Sequence, residues 1–571
     1  MIWEYPMTSN SITTDGVTDQ LGIQWLRLQQ NSTLAWLRVA DLHDGSPGRR
    51  LAELGIVMPP GKAVREFIDR VGDITDWPKQ YLATRPGWHR SQFALGDGSI
   101  LAPKGENPHC VAFHPDHAKW GFRGTLEGWR TAVAAPLAKQ PLPAFAIMLA
   151  FAPPLLNILP RRTNFGVEFV GLKGLGKSTL QQLVSSVWAG PGTSSDAKFW
   201  ETWLATAEGL ETVGERHRDC LLVLDEATLF EGAATKAARA KAVQNIVFRL
   251  GEGAGKARFG GERPEVSQLI YLSSSNEPIA SVLGGGHGAS ADAAEDRLLT
   301  LPADAGSGFG VYSTLPDGVV SGSAFASQLT HAVDGQYGTA IRAFLAKLVQ
   351  RRSDDQEGLT KELEGHMAHF RKRAQIDPND GSMVRVANSF GVAYAAGRLA
   401  KGWGILPKNW RCADTALTCF QRHLAAKTMR SGNVTDRLTA YAKLPGVRDV
   451  RGASKPTLSD AELKATPGIW RTTKEGEIEF VVWPETLKAA FSDCQSFVAE
   501  LIALGIAKRE PPGHTVKRKL REGHDPERFY CFRITPPTGR VGKAPPQPKG
   551  RQLKLKKMIT RKMKEAKPAA R

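Results

Sequence analysis

The sequence has few cysteines, and none of them form a C-x-x-C pair. No N-terminal segment has the pattern of a secretory signal peptide. Disulfides persist mainly in oxidising compartments, so we expect reduced thiols in a cytoplasmic protein. The six cysteines are Cys110, Cys220, Cys412, Cys419, Cys494 and Cys531.

Long apolar runs are also missing. The most apolar stretch, Leu142–Leu159, is interrupted by Pro153 and Pro154. Its uninterrupted part, Ala144–Ala152, is far shorter than the roughly 20 residues of a membrane-spanning helix. The stretch therefore predicts a buried helix and no membrane partner.

Acidic residues are scarce at the C-terminal end. The formal net charge of the chain is +18, and residues Arg540–Arg571 carry twelve Lys or Arg against one Glu. This segment therefore holds +11 of the +18, which favours a polyanionic partner such as nucleic acid. The alternative is a solvated end that aids solubility.

The chain contains enough apolar residues to form several hydrophobic cores. The chain has 571 residues, of which 42% are hydrophobic and 23% charged, so three or four units are expected. Apolar strands alternate with helical segments in the middle of the chain, which predicts a parallel α/β sheet. The predicted segments are a disordered N-terminus (1–20), an α+β region (21–130), an α/β core (131–327), a helical domain (328–445), a small final domain (461–536) and a basic disordered tail (537–571).

A glycine-rich loop follows an apolar strand and precedes a helix. It fits the Walker A pattern G-x-x-x-x-G-K-[ST], whose backbone N–H groups and helix N-terminus hold phosphates. Lys177 is expected to reach the β- and γ-phosphates, and the Ser178 hydroxyl to bind Mg²⁺. The alternative is a loop of this shape without a nucleotide. The predicted binding residues are Gly171, Gly174, Gly176, Lys177, Ser178 and Thr179.

A second apolar strand, Leu221–Leu224, ends in the adjacent carboxylates Asp225 and Glu226. Two charges at the end of a buried strand are costly unless a cation faces them. Mg²⁺ bound by Asp225 would supply that cation, and Glu226 would polarise the attacking water. An ordinary acidic strand end is the alternative. The two motifs together predict an enzyme that hydrolyses ATP with Mg²⁺.

A third strand, Leu269–Ser273, leads to Asn276. A polar residue at such a strand end can hold the attacking water, so Asn276 is a predicted catalytic residue. The alternative is a turn-capping asparagine before Glu277 and Pro278.

Arg297 is the remaining catalytic candidate. In an oligomeric ATPase an arginine here can reach the γ-phosphate of the neighbouring subunit. An ion pair within the chain, with Glu295 or Asp296, is the alternative.

Several further segments lie outside the two nucleotide motifs. With them, the chain from about Trp88 to Ala340 resembles the bacterial domain-of-unknown-function family numbered 927. The segments are Gly87–His89, Gly98–Glu106, Val187–Gly190, Thr202–Glu211, Gly253–Arg258, Leu301–Ala303 and Tyr337–Ala340.

Members of that family are similar to AAA+ ATPases of the MCM and superfamily III kind, typical of plasmids, prophages and cassette-type mobile elements. The resemblance implies a hexameric ring motor that acts on DNA. It also implies that Arg297 is a finger in trans and that Arg385, in the helical lid, is a nucleotide sensor. No primase or zinc-binding segment accompanies these features.

Two segments are candidates for DNA contact. In MCM-like rings a hairpin before the third strand grips single-stranded DNA in the channel, which makes Lys256 and Arg258 candidates. The alternative is a flexible surface loop. The order of elements in 461–536 suits a winged helix, with Lys517, Arg518 and Lys519 in its wing. Winged helices bind either DNA or proteins.

The resulting hypothesis is an AAA+-like P-loop ATPase core with an N-terminal α+β region, a helical lid and a winged-helix-like domain. Its predicted function is an ATP-dependent DNA helicase or translocase of a mobile element, assembled as a homo-hexamer. One alternative is an ATP-regulated DNA-binding adaptor or initiator that does not unwind. Another is an ATPase that acts on a protein.

Overall fold

The computed structural model divides the chain into two compact units, Met1–Gly446 and Val447–Arg571. It describes residues 2–5, 12–43, 46–160, 164–192, 198–203, 207–225, 245–251, 268–279, 296–444, 446–451, 463, 466–473, 475–491, 493–511, 513–520 and 525–536.

The first unit begins with a four-stranded antiparallel sheet in the order β1-β2-β3-β4. Two helices follow, and Phe67 of the second shares a core with Leu26 and Leu28 of the sheet. The expected disorder of residues 1–20 is wrong for β1 and β2, because pairing with β3 satisfies the backbone of this polar segment. The elements are β1 (Ile2–Tyr5), β2 (Ile12–Thr18), β3 (Gln24–Gln30), β4 (Thr33–Arg38), α1 (Pro47–Glu53) and α2 (Lys62–Gly72).

Short strands and helices connect this sheet to the rest of the unit. The indole N–H of Trp88 donates to the carbonyl oxygen of Pro154 (2.9 Å), and its backbone N–H donates to the buried carboxylate of Asp219 (3.0 Å). The elements are β5 (Leu82–Ala83), β6 (Gly87–His89), β7 (Gln92–Ala94), β8 (Ile100–Leu101), β9 (Cys110–Val111), α3 (His117–Trp120), α4 (Leu126–Trp129), α5 (Pro141–Ala150) and α6 (Pro153–Leu156).

Helix α5 contains the first half of the apolar run noted in the sequence. All its residues from Leu142 to Ala150 are buried, because it lies inside the main core of the unit. Among the helices of the described residues, none combines the length and apolar composition needed to cross a membrane.

A five-stranded parallel sheet forms the centre of the first unit, in the order β11-β12-β13-β10-β14. Val167 and Phe169 face the main core, whereas Tyr271 and Leu222 face a second cluster that includes Trp203. Both faces are therefore covered, which explains the continuous apolar runs of the strands. The elements are β10 (Phe165–Val170), α7 (Lys177–Trp188), β11 (Glu201–Thr202), α8 (Ala207–Arg216), β12 (Leu221–Asp225), β13 (Ile270–Ser275) and β14 (Leu298–Pro302).

The helical segment predicted as a lid packs into the same core as the central sheet. Phe344, Phe390 and Phe420 belong to the cluster that contains Val167 and Leu183. The regions expected at 21–130, 131–327 and 328–445 are thus parts of one compact unit. The helices are α9 (Gly322–Gly335), α10 (Thr339–Asp354), α11 (Gln356–Arg373), α12 (Gly381–Gly402), α13 (Cys412–Ser431) and α14 (Val434–Tyr441).

In the residues that the structure describes, the second unit is a mostly antiparallel sheet with two helices. Its strands follow the order β15-β16-β17-β20-β18, and β19 pairs with β20. The winged-helix-like assignment of residues 461–536 stays a prediction. The elements are β15 (Arg448–Asp449), β16 (Ile469–Thr472), β17 (Ile478–Val482), α15 (Pro484–Ala490), α16 (Cys494–Ala503), β18 (Ala507–Lys508), β19 (Val516–Arg518) and β20 (Glu527–Phe532).

Replacement of Phe344 should test whether the helices and the sheet share one core. Its ring, on α10, lies 5.1 Å from the rings of both Phe151 and Trp403 and is fully buried. We expect Phe344→Ala to lower the free energy of unfolding by about 3–5 kcal/mol, because it leaves a cavity. The measurement is urea unfolding followed by hydrogen exchange in peptides from α5, α10 and α12.

The matched control is Val320→Ala, since Val320 is 88% exposed. Its effect should stay within about 0.5 kcal/mol. A Phe344→Ala effect as small as that of the control, or confined to α10, would contradict a shared core.

Candidate functional site

The glycine loop (Gly171–Gly176) joins β10 to α7. Gly174 and Gly176 have φ values of +87° and +92°, a left-handed conformation that side chains rarely adopt. At Gly171 a Cβ would lie 2.6 Å from a methyl group of Leu175, so the Leu175 side chain would have to move to make room for one. The left-handed conformations explain the glycines at 174 and 176, whereas the pattern itself requires glycine at positions 171 and 176.

Lys177 is the first residue of α7, and its ammonium lies over the glycine loop. Its Nζ donates to the carbonyl oxygens of Gly171 and Leu172, the latter at 3.0 Å, and to Oδ1 of Asn276 at 3.1 Å. The residue is 9% exposed. The structure therefore brings together Lys177 and Asn276, which are 99 positions apart in the sequence.

Asp225 lies at the same edge of the sheet, at the end of β12. The hydroxyl of Ser274 donates to Oδ1 of Asp225 at 3.0 Å and thereby orients the carboxylate. The amide of Gln181, from α7, donates to the Ser274 hydroxyl (3.2 Å) and to the carbonyl oxygen of Leu224 (3.3 Å). Helix α7, β12 and β13 are thus connected through polar side chains beneath the glycine loop.

The donors expected for Mg²⁺ fit a hard divalent cation. Ser178 is exposed on the first turn of α7, Thr179 beside it is half-buried, and Asp225 is half-buried. The Ser178 hydroxyl and the Asp225 carboxylate would offer oxygen ligands at one edge of the sheet, the ligand type that Mg²⁺ prefers.

Four of the sequence candidates cannot be located in this geometry. Glu226, Lys256, Arg258 and the tail 537–571 lie outside the described residues. Their roles remain predictions.

The residues that follow β14 are hydrogen-bonded to the backbone of the glycine loop and of the strand residue before it. The backbone N–H of Ala303 donates to the carbonyl oxygen of Val170 (2.7 Å), and that of Val311 donates to Leu175 (2.8 Å). Arg422 of α13 donates to the carbonyl oxygens of Pro302 (3.3 Å) and Asp304. Sequence reasoning missed Arg422, because a single arginine in a helical run gives no sign of the strand it will meet.

Arg297 lies at the opposite edge of the sheet from Lys177. It directly precedes β14, and its carbonyl oxygen accepts from the N–H of Gly166 at the start of β10 (2.7 Å). Since β10 and β14 are parallel, the start of one strand is level with the start of the other. The Arg297 guanidinium lies 4.9 Å from the ring centre of Phe248.

Arg385 lies at that same far edge, away from the glycine loop of its own chain, and its role as a nucleotide sensor stays a prediction. Its guanidinium is 3.8 Å from Oδ2 of Asp296, which also pairs with Lys427 at 3.4 Å. Strand β14 then separates these residues from the glycine-loop edge by roughly 13 Å, at about 3.3 Å per residue. The sequence could not show this, because helix α12 carries no signal of which edge it packs against.

In the second unit, Arg518 has a different environment from Lys517 and Lys519. Its guanidinium donates to both carboxylate oxygens of Glu479, at 2.7 and 3.1 Å, and the Glu479 side chain is fully buried. Lys508 also donates to Glu479, at 3.1 Å. Arg518 is therefore part of an internal charge network, which corrects its expected role as a free DNA-contacting residue, whereas Lys517 and Lys519 are exposed.

This network makes the second unit sensitive to acid. Burial by itself would raise the pKa of Glu479, but hydrogen bonds from Arg518 and Lys508 hold it below the ordinary value of 4.5. Because the folded-state pKa is lowered, this stabilisation is present above pH 4.5 and is lost as the pH falls below it.

We expect Glu479→Gln to lower the free energy of unfolding of the second unit at pH 7 by up to roughly 3 kcal/mol, since it leaves the half-buried Arg518 and Lys508 without their anion. The measurement is urea unfolding followed by hydrogen exchange in β20, at pH 7 and at pH 3.5. The matched control is Glu477→Gln, because Glu477 is half exposed and pairs with Lys508 and Arg533. A difference between wild type and Glu479→Gln that does not shrink at the lower pH would contradict the role of the ionised carboxylate.

Comparison with known proteins gives one structural similarity over most of the chain and one family match over its N-terminal part. No curated protein matches the sequence. The solved structure of the SCCmec type IV Cch active helicase is similar, with a TM-score of 0.53 over 94% of this chain and 96% of that one. At 15% identity this likeness shows a shared fold.

The family comparison covers the N-terminal part of the chain. The matched region, residues 6–263, begins well before Trp88 and ends before Ala340, the limits expected from the sequence. It includes the glycine loop and Asp225. Residues 6–263 match the model of the domain of unknown function DUF927, and the family resemblance predicted from the sequence is confirmed.

Proposed function

We propose that this protein is an ATP-dependent DNA helicase or translocase of a mobile genetic element. The observation that carries the proposal is the convergence of Lys177, Asn276 and Asp225 at one edge of a parallel sheet, next to a glycine loop and the N-terminus of α7. Ligands of open α/β sheets bind at the carboxyl ends of the strands.

The residues divide the work of hydrolysis among them. Backbone N–H groups of the glycine loop and the positive end of the α7 dipole hold the phosphates. Lys177 neutralises charge on the β- and γ-phosphates, and Asn276, in contact with Lys177, orients the attacking water. Glu226 accepts the proton of that water. Ser178 and Asp225 would hold Mg²⁺, which would neutralise charge on the phosphates when bound.

In a ring of subunits, the edge of the sheet opposite the glycine loop would contact the neighbouring subunit. Arg297 cannot reach the glycine loop of its own chain, but it would reach the γ-phosphate of a neighbour whose carboxyl edge docks on this one. Arg385 would face the same neighbour, because it shares this edge through Asp296. We therefore propose a homo-hexamer in which Arg297 is the trans finger.

DNA would be bound by basic residues of both units. Lys256 and Arg258 are proposed to grip single-stranded DNA in the channel, with contacts to phosphate that ignore sequence. The winged-helix-like domain and the tail 537–571 would add further contacts. The shared fold with the SCCmec type IV Cch active helicase supports this proposal.

The first experiment is the steady-state ATPase rate with and without single-stranded DNA, at low and moderate salt. We expect a Mg²⁺-dependent rate that DNA stimulates, less so as salt screens the contacts. Lys177→Ala and Glu226→Gln should each lower kcat at least ~10²-fold, since transition-state charge and the attacking water lose their partners.

Lys173→Ala is the matched control, because Lys173 is an exposed lysine of the same loop. Turnover that needs Glu226 but ignores DNA would favour an ATP-regulated adaptor or a protein-directed ATPase. A rate that survives Lys177→Ala would refute the nucleotide site.

A second experiment tests whether two exposed lysines bind DNA: Lys517 on β19 and Lys519 directly after it. We expect the double variant Lys517→Ala, Lys519→Ala to weaken DNA binding uniformly across sequences. The slope of log affinity against log salt should fall by about 0.7 per lost phosphate contact on single strands. Fluorescence anisotropy at several salt concentrations measures both quantities.

Lys62→Ala, Lys361→Ala is the control, because both lysines are exposed on helices of the first unit. An unchanged affinity and slope in the Lys517, Lys519 variant would remove this surface from the DNA-binding site.

A further inference from the structure

Glu168 is a carboxylate buried in the middle of the central sheet. It lies on β10, three residues before the glycine loop, and is 1% exposed. Burial raises the pKa of Glu168. Burying an ionisable group costs free energy unless hydrogen-bond donors surround it. The donors to Glu168 therefore identify the segments that it holds in place.

The donors to Glu168 come from the strands on both sides of β10. Its Oε1 accepts from the Thr300 hydroxyl of β14 at 2.7 Å. Its Oε2 accepts from the backbone N–H of Ile279 at 3.1 Å and from the Ser275 hydroxyl at 3.4 Å. One oxygen thus contacts both ends of the turn 275–279, which begins at the end of β13.

Asn276 is the second residue of that turn. Its Oδ1 accepts from Nζ of Lys177, which lies on the far side of the glycine loop from β10. Hydrogen bonds therefore connect Glu168 to the turn 275–279, and Asn276 of that turn to Lys177. Glu168 itself is buried and does not contact Lys177 in this chain of contacts. Because the glycine loop follows β10 directly, the strand that carries Glu168 also sets the position of Lys177.

We propose that Glu168 is a positioning residue, whose carboxylate clamps the turn 275–279 and thereby holds Asn276 against Lys177. It does not touch the nucleotide. The clamp fixes the geometry of the amide that orients the attacking water, so its loss should affect kcat more than nucleotide binding. The inference rests on the proposed ATP hydrolysis and deepens it.

Three variants of Glu168 and Asn276 test the clamp in the full-length protein. Glu168→Ala removes the hydrogen-bond acceptor of the turn. We expect kcat to fall roughly 10²-fold, because a displacement of the Asn276 amide by about 1 Å has an effect of that size. The Kd of an ATP analogue should change less than about 3-fold, because Lys177 and the glycine loop remain. Adding Glu168→Ala to Asn276→Ala should lower kcat little further, because both act through one group.

The conservative variant separates hydrogen bonding from bulk. In Glu168→Gln the side-chain oxygen can still accept from Ile279, and the amide can donate to the Thr300 hydroxyl, which is free to reverse its role. We expect Glu168→Gln to keep kcat within about 3-fold of wild type. Tyr271→Phe is the matched control, since it removes another buried hydroxyl from the same sheet face and should leave kcat unchanged.

Hydrogen exchange of the peptide 269–279 gives a readout that does not need turnover. Glu168→Ala should speed exchange in this peptide and leave peptides from β12 and α5 unchanged. If Glu168→Ala fails to fold, Ser275→Ala removes one of the two bonds to Oε2, and faster exchange with a lower kcat is still expected.

The possible failures are distinguishable. Wild-type protein without ATP turnover would overturn the proposed function, while hydrogen exchange would still decide the clamp. Normal kcat and exchange in Glu168→Ala, or losses that multiply with Asn276→Ala, would overturn the clamp and leave the ATPase intact. A Glu168→Gln variant as impaired as Glu168→Ala would likewise rule out clamping by hydrogen bonds.

Discussion

The parallel pairing of β10 with β13 on one side and β14 on the other is the constraint on which the site depends. Parallel strands end at a common edge, so the glycine loop, Asp225 and Asn276 meet there without any local sequence signal that joins them. The same pairing sends the residues before each strand to the other edge. Arg297 and Asp296 therefore lie a full strand length from Lys177.

The helices add a second constraint, because they pack in the same core as the sheet. Helix α13 runs along β14, where Nδ1 of His423 donates to the carbonyl oxygen of Thr300 (3.1 Å). Burial lowers the pKa of His423 to about 4, so the ring is neutral at neutral pH. One residue earlier, Arg422 binds the backbone just after β14, which in turn supports the glycine loop. Positions in the predicted lid are thus connected to the loop through hydrogen bonds.

Strand geometry also separates structural cations from exposed ones in the second unit. Side chains alternate along β19, so Val516 and Arg518 share one face while Lys517 points to the other. The inner face contains the buried carboxylate of Glu479, which orients Arg518 through two hydrogen bonds. Three neighbouring basic residues therefore divide into one that stabilises the sheet and two that are exposed.

Local sequence by itself determined the strand, glycine loop and helix around Lys177, the strand ending at Asp225, and the buried helix α5. Each depends on neighbouring residues, through glycine conformations or the length of an apolar run. Only the tertiary structure decided which edge receives Arg385, which side chain orients Asp225, and that Glu168 holds the Asn276 turn. Those contacts join residues separated by tens to hundreds of positions, and their geometry follows from strand order and helix packing. Even β2 required its partner β3, because its polar residues become a strand only once the backbone is paired.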